Sequence, residues 1–202
     1  MDSQAWNERY RGSGLVWSAE PNRFLVEQVS GRAAGRALDL AAGEGRNAVW
    51  LAEQGWATTA VDFSDVAIEK AGEMAAARGV SITTAVADVT GDLSGSVAPG
   101  GFDLVVVAYL QLPAEDRARA LANAVAALAP GGTLLEIAHD AANLSGGYGG
   151  PQDPSVLATP AEVAALLDGL VVESAETVER PVETAEGMRI AIDHLVRARR
   201  PV

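Results

Sequence analysis

The segment Arg36-Ala-Leu-Asp-Leu-Ala-Ala-Gly-Glu-Gly-Arg-Asn47 constrains the fold more than any other part of the chain. A short apolar strand runs to Asp39 and Leu40, a small-residue turn carries Gly43 and Gly45, and a helical pattern starts at once. Glycines in such a turn can take φ > 0 and bring the backbone close to a bound group. The helix behind them leaves its first N–H groups free. Strand, glycine turn and helix in that order make a cofactor-binding turn.

The same alternation continues downstream. Arg46–Gln54 places Ala48, Leu51 and Ala52 at helical spacing, and Gly55 ends that helix. Ala57–Val61 is a second strand with Asp62 at its carboxyl end. Ser64 or Asp65 can cap a helix that runs to about Arg78 and stops at Gly79. Ser81–Val86 alternates as a third strand, with Asp88 just beyond it. Asp92–Pro99 is a turn-rich link with room for a short helical turn. Phe102–Val107 is the most apolar strand, of the kind buried on both faces. Pro113–Leu128 is a helix, Pro130-Gly131-Gly132 a turn, and Thr133–Ala138 a fifth strand. Asp140–Thr159 carries no periodicity and reads as a loop, which in a compact domain is more often functional than filler. Pro160–Leu167 is a helix, and Val171–Val178 and Arg189–Val196 are two final strands, antiparallel neighbours. Strand–helix alternation over the first two-thirds means a mainly parallel sheet covered on both faces.

Ligands of open α/β sheets sit at the carboxyl ends of the strands. Asp39, Asp62, Asp88 and Tyr109 all fall at or near such ends. A dinucleotide pyrophosphate calls for N–H donors with few carboxylates nearby. A cofactor with a sulfonium, an ammonium and a ribose diol is helped by carboxylate acceptors. Asp62 alone does not decide, because NAD enzymes also end this strand with an acid. Asp39 and Asp88 tip the choice to S-adenosylmethionine. Each acid also has a plainer use: Asp39 or Asp62 as a helix cap, Asp88 as a turn residue.

With Asp39–Gly45 and the three acids in place, the chain resembles a class I, Rossmann-like S-adenosylmethionine-dependent methyltransferase. It is similar over nearly its whole length to the small bacterial group related to tellurite-resistance and thiopurine methyltransferases. That resemblance implies a three-layer α/β sandwich around a seven-stranded sheet of order 3-2-1-4-5-7-6, with the seventh strand antiparallel. It implies one domain over 1–202, with 1–30 as a lid on the acceptor side and 31–202 as the core. It places Asp39 near the methionine part of the cofactor, Asp62 with Phe63 at the ribose, and Asp88 with Val89 at the adenine. Ala41 stands where the fullest motif has a glycine. Its methyl needs only a little room and a φ below zero, so the turn shifts slightly and cofactor binding survives.

The acceptor side is marked by aromatic residues. Trp6-Asn-Glu-Arg-Tyr10 and Trp17 precede the first strand, and Trp-x-x-Arg-Tyr followed by Trp17 resembles the tellurite and thiopurine group. The resemblance makes this segment a lid, with Trp17 against the cofactor and Arg9 and Tyr10 facing the acceptor. Plainer readings are an N-terminal helix pinned by its Trp residues and a surface ion pair for Arg9. Tyr109 and Gln111 follow the fourth strand, where the family lines the transfer centre, and Tyr109 touches either acceptor or cofactor. His139 ends the fifth strand beside Asp140. An imidazole there is a candidate proton acceptor, or else a structural hydrogen-bonding group. His194, inside the last strand, reads as structural. The glycine-rich Gly146–Pro154 segment could close over the site and carry Tyr148 to the acceptor. Asn47 is expected to bond across to the N-terminal segment near Asn22.

Composition narrows the remaining classes. Cys is absent and only two His occur, which disfavours disulfides, thiolate chemistry and a zinc or iron site. No apolar run approaches a membrane span, and the first ten residues lack the form of a signal peptide. The formal charge of −12 repels phosphate backbones and argues against nucleic acid. The expected protein is a cytoplasmic monomer or homodimer that methylates a small soft or heteroaromatic acceptor, a thiol or a tellurite- or selenite-like oxyanion, without metal. A non-catalytic S-adenosylmethionine-binding protein is an alternative. An NAD-linked oxidoreductase would want a Tyr–Lys relay, and the only Lys, Lys70, lies inside a helix pattern.

Overall fold

The computed structural model describes residues 3–12 and 14–202. Its elements in order are α1 (Ser3–Tyr10), α2 (Arg23–Val29), β1 (Arg36–Leu40), α3 (Arg46–Glu53), β2 (Ala57–Asp62), α4 (Asp65–Ala77), β3 (Thr83–Val86), β4 (Phe102–Ala108), α5 (Ala114–Ala127), β5 (Leu128–His139), α6 (Asn143–Gly146), a 3₁₀ turn (Pro154–Val156), α7 (Pro160–Ala164), β6 (Val171–Thr184) and β7 (Gly187–Arg199). The sheet runs β3-β2-β1-β4-β5-β7-β6. β1 to β5 are parallel to their neighbours, and β7 is antiparallel to both β5 and β6. This is the order and the antiparallel seventh strand expected. The reversal between β1 and β4 opens a crevice at the carboxyl edge, where the parallel strands deliver Asp39, Asp62, Tyr109 and His139.

Each face of the sheet has its own apolar layer. Leu38, Leu40, Val61, Val105, Val107, Leu134, Val196 and Ala198 pack against Ala120, Leu121 and Ala124 of α5 and Val163 of α7. Leu104, Val106, Leu135, Ile137 and Leu195 pack against Phe24 and Leu25 of α2 and Leu51 of α3. Burying a Leu or Val fully is worth about 1.5–3 kcal/mol, so these layers fix the register that sets the edge. The helix starts follow local chemistry. Ser64 Oγ accepts from Ala67 N–H at the start of α4, and Thr159 and Glu162 form a reciprocal capping box at α7.

Several boundaries differ from the sequence reading, each for a local reason. Pro130-Gly131-Gly132 is not a free turn. It is a bulge within β5, whose pairing to β4 jumps from Leu128 opposite Phe102 to Thr133 opposite Leu104. Gly131 N–H donates to Arg200 O, and Arg200 N–H donates to Gly132 O, so the end of the chain holds the bulge in place. β6 and β7 run further than expected because they continue as a hairpin beyond the other strands, closing at Thr184 opposite Gly187. α7 stops at Ala164, where bonds from Leu166 N–H to Val163 O and Leu167 N–H to Ala164 O tighten the chain. The Asp140–Thr159 segment is more ordered than a loop. It holds α6 and the 3₁₀ turn, and Asp140 bridges to Ala158. Of the two N-terminal helices, α1 corresponds to the plainer reading of the Trp-bearing segment, and α2 had no periodicity strong enough to be read. No helix among the described residues is long and apolar enough to cross a membrane.

Candidate active site

The glycine turn is built from left-handed residues. Ala41, Gly43 and Gly45 have φ of +60°, +54° and +83°. The expectation of a negative φ at Ala41 is therefore wrong. Ala42 N–H bonds to Val61 O of β2, which turns the chain back across the sheet directly after β1. Holding a non-glycine residue in that conformation costs roughly 1–2 kcal/mol. Gly45 has a second constraint, since a Cβ there would lie 2.6 Å from the Ala71 methyl. Small residues at this point let α3 and α4 close together behind the turn.

Two of the three predicted acids are buried at this turn. Asp62 accepts from Gly43 N–H (2.8 Å) and Ser64 N–H (2.9 Å), tying the turn to the end of β2. Burial pushes its carboxyl up, opposed by those N–H donors. Asp39 is almost fully buried, and its Oδ2 has no partner among the described residues. Burial raises its pKa to about 7, against the pull of the Arg46 charge and the Ala48 N–H. Unpaired buried acceptors are costly, so Asp39 is poised for a cationic donor such as an ammonium group. Asp88 differs from both. It is exposed and caps its own turn by accepting from Thr90 N–H and Oγ1–H, while the neighbouring Val89 is buried. Phe63 is half-buried beside Asp62.

The N-terminal segment lies across the turn. Asn22 N–H donates to Asn47 Oδ1 at 2.8 Å, the bond anticipated from the sequence. Ser64 Oγ donates to Asn7 Oδ1. Glu44, between the two glycines, is buried and accepts from Val16 and Trp17 N–H. Lys70 Nζ donates to Glu44 Oε1 and to the carbonyls of Gly12 and Gly14. The only lysine of the chain thus clamps this segment to α4. Tyr10 is buried with its hydroxyl accepting from Trp17 Nε1 (3.4 Å) and close to the open face of Gly43. Burial lifts its pKa to about 12. Arg9 is exposed, its guanidinium 5.0 Å from both the Trp6 and Trp17 rings. It stacks on them, and among the described residues it forms no ion pair.

The second half of the edge assembles around a residue that sequence reasoning missed. Asp193, on β7 and without exposed surface, sits directly opposite His139 in the β5–β7 ladder. Its Oδ1 is 3.0 Å from His139 Nδ1. Its Oδ2 accepts from Tyr109 Oη–H and from Arg180 Nε–H, both at 2.6 Å. Burial pushes this carboxyl up, but the contacts from His139, Arg180 and Tyr109 together outweigh it and hold it below the usual range. Tyr109 has φ +57° and lies with its ring 5.2 Å from that of His139. Burial drives the Tyr109 phenol well above its ordinary value, so it stays a hydrogen-bond donor. The guanidiniums of Arg46 and Arg180 lie 6.0 and 5.5 Å from the Tyr109 ring. Gln111 Nε2 is buried without a partner. A chain of net charge −12 thus gathers two arginines and an imidazole at one point of its edge.

The glycine-rich segment after β5 is fastened to β7. Tyr148 N–H donates to Ile190 O, Ile192 N–H to Asn143 Oδ1, and Asn143 Nδ2 to Gly149 O. Tyr148 is held as a partly exposed residue rather than as a free arm. Gly150 packs on the His139 ring, and a Cβ there would come within 2.8–3.0 Å of it. His194 is buried against Glu136 (2.7 Å) and Ala158 O, on the opposite face from His139. This agrees with its structural reading. Two surface cavities of about 420 and 370 Å³ lie elsewhere, at the amino ends of β1 to β3 and outside α4. The strand topology puts ligands at the other edge.

Arg46, Glu44, Arg180 and Asp193 were not predicted. Glu44 and Arg46 did carry a signal, because charged residues stand inside the glycine motif. Asp193 carried one too, as a lone acid in the apolar run Ala191–Val196.

Residues 37–132 match the family described as "Methyltransferase domain". No curated protein matches the chain. Among solved structures, the N-methyltransferase NodS from Bradyrhizobium japonicum WM9, in complex with S-adenosyl-L-homocysteine, has a TM-score of 0.72 at 23% identity, covering 99% of this chain and 98% of its own. A protein solved in work on converting a disulfide bond into a thioacetal group during echinomycin biosynthesis has a TM-score of 0.80 at 22% identity, covering 98% and 91%. TehB from Haemophilus influenzae has a TM-score of 0.70 at 16% identity, covering 98% and 66%. At these identities the likeness carries the fold. Residues 37–132 are thus similar to a methyltransferase domain, and the whole chain shares the α/β fold of these structures.

Proposed function

We propose that the protein transfers a methyl group from S-adenosylmethionine to a small soft acceptor, with thiols as the first class and chalcogen oxyanions as the second. The observation that carries this reading is one sheet edge with two unlike halves. An unpaired buried carboxylate, Asp39, stands beside a left-handed glycine turn. Next to it stand His139, Tyr109, Arg46 and Arg180.

The residues present fit the cofactor. Asp39 offers its orphaned oxygen to the ammonium, Arg46 its guanidinium to the carboxylate, and Asp62 the remaining lone pairs of its carboxylate to the ribose. Asp88 and Val89 flank the adenine position, and Tyr10 and Trp17 cover the turn. When bound, S-adenosylmethionine supplies a methyl carbon that leaves its sulfur, which keeps the bonding pair, as an acceptor lone pair takes it. The chain's own part is to orient the acceptor in line and to exclude water. The N-terminal segment, clamped by Lys70 and Glu44, is placed to exclude water. Tyr109, Arg180 and His139 face the acceptor, and His139 takes a proton where the acceptor carries one.

Two observations rank the acceptors. A carboxylate-backed imidazole suits a nucleophile that must lose a proton, and one structural neighbour was solved in work on converting a disulfide bond into a thioacetal group. The Arg180 guanidinium beside the Tyr109 ring favours an anion, which keeps oxyanions second. Turnover is tested by release of S-adenosylhomocysteine with thiophenol, 2-mercaptoethanol, selenite and tellurite in parallel. Release with a thiol supports the reading, and no release with any of the four contradicts it.

A further inference from the structure

We propose that Asp193 is a positioning residue that fixes the tautomer of His139, so that Nε2 is the proton acceptor of the site and the acceptor class is one that arrives protonated. The proposal rests on the methyl-transfer reading and narrows it, selecting a thiol or an acidic N–H or O–H over an oxyanion that needs no base.

The register of two strands makes the pair. His139 and Asp193 face each other across β5 and β7, and directly opposed side chains in an antiparallel pair point to the same face. Arg180 reaches the same carboxylate from β6, two residues beyond Val178, which pairs with Asp193. Tyr109 reaches it from the end of β4. Both of these donate to Oδ2. Oδ1 faces His139 Nδ1 at 3.0 Å, a close ion-pair contact off hydrogen-bond alignment, and has no other polar partner among the described residues. An ionised carboxylate can only accept, so the imidazole proton belongs on Nδ1 and the lone pair on Nε2.

The Cδ2–Nε2 side of the ring packs against glycine rather than a larger residue. It meets the backbone of Gly150, where a Cβ would lie 3.0 Å from Nε2. In the reaction the acceptor's X–H bond breaks, the proton passes to Nε2, and the X lone pair takes the methyl. The imidazolium formed is compensated by the carboxylate behind it, which has no solvent-accessible surface. This division of labour matches a buried carboxylate that orients a histidine without itself taking up the proton.

The chain has only two histidines, so the test is direct. Imidazole ¹⁵N–¹H correlation spectra of the full-length protein at pH 8.5, with His194 assigned by H194N, report each ring's tautomer. The expected result is Nδ1–H with an unprotonated Nε2 at His139. A protonated Nε2, as the other tautomer or as imidazolium, overturns the proposal. In D193N the Arg180 Nε–H claims the amide oxygen and turns the amide NH₂ toward His139. The ring should then flip to the Nε2–H form. An unflipped ring overturns the proposal. If D193N does not fold, the wild-type spectrum decides, supported by Y109F, which should keep the Nδ1–H form.

Titration with S-adenosylhomocysteine on the same samples separates the two claims. Wild type that fails to bind it sinks the methyl-transfer reading whatever the tautomer. D193N that binds it normally should lose about 10²–10⁴-fold in turnover with thiophenol, the range of general acid–base catalysis. Undiminished turnover in a flipped D193N overturns the positioning role.

Discussion

The two halves of the carboxyl edge are built in opposite ways. On the β1–β2 side, Asp39, Glu44 and Asp62 lie close together in sequence, and the last two bond to backbone: Asp62 to Gly43 and Ser64 N–H, Glu44 to Val16 and Trp17 N–H. On the β4–β5–β7 side, Tyr109, His139, Arg180 and Asp193 come from four strand segments and bond to one another through side chains. A backbone-held site depends on local conformation, so its residues must follow a local motif. A side-chain site depends on register between distant strands and leaves no motif. The cofactor half is therefore expected to fail through backbone and acid changes, and the acceptor half through changes of polar partners.

The largest expected effect is Asp62→Ala. It removes the acceptor for Gly43 and Ser64 N–H together with the proposed ribose contacts. Charge-assisted hydrogen bonds are worth about 1.5–3 kcal/mol each. Calorimetry with S-adenosylhomocysteine should show at least a tenfold loss of affinity for each bond lost, with acceptor-side spectra of His139 unchanged. Unaltered affinity would move Asp62 from ligand binding to a purely structural role.

Gly45→Ala comes next. It combines a left-handed backbone, costing about 1–2 kcal/mol, with a methyl 2.6 Å from that of Ala71, a type of overpacking worth about 1–3 kcal/mol. Thermal unfolding should move down by several degrees. The contrasting change four residues earlier, Ala41→Gly, relieves φ +60° and should be neutral to stabilising by about 1 kcal/mol. A destabilising Ala41→Gly would mean that the Ala41 methyl packs in a way its backbone strain conceals.

Asp39→Asn sharpens the comparison through pH. The folded carboxyl titrates at about 7, raised by burial, while an unfolded Asp titrates near 3.9. Between those values the folded state holds a proton that the unfolded state has lost. Stability therefore falls as pH rises through this window. Asp39→Asn should remove that loss, so its stability advantage grows from pH 4 to 8 in denaturant titrations. Its affinity for S-adenosylhomocysteine should drop most above pH 7, where wild-type Asp39 is ionised. A pH-independent difference would contradict an uncompensated buried carboxylate.

Lys70→Gln is the smallest. It removes one partly exposed ion pair, typically worth no more than about 1 kcal/mol, and two carbonyl contacts. Global stability should barely change. Hydrogen exchange at Val16 and Trp17 should accelerate as the Glu44 anchor loosens. Unchanged exchange would show that Glu44 holds the segment unaided.

The same contrast explains how far the sequence could be read. The positions of Asp39 and Asp62 and the Asn47–Asn22 bond were accessible, because glycine spacing, strand-end acids and caps are local signals, whereas the strand order came from the family resemblance. Ala41 was misjudged because its sign of φ is set by a bond to Val61 on another strand. The Pro130–Gly132 bulge looked like a turn because the chain end that pairs with it lies 70 residues away. His139 could be found as a strand-end imidazole. Its partner Asp193 could not, since only the antiparallel register of β7 brings the two together. Tyr148 and the glycines around it suggested a mobile arm, yet Asn143 and the β7 backbone fasten that segment down.

The most direct test of the central claim is isothermal titration of the intact protein with S-adenosylhomocysteine and, separately, with NAD. The account predicts micromolar binding of S-adenosylhomocysteine and none of NAD. Binding of NAD, or of neither, would contradict the assignment of Asp39, Asp62 and the glycine turn to a sulfonium cofactor.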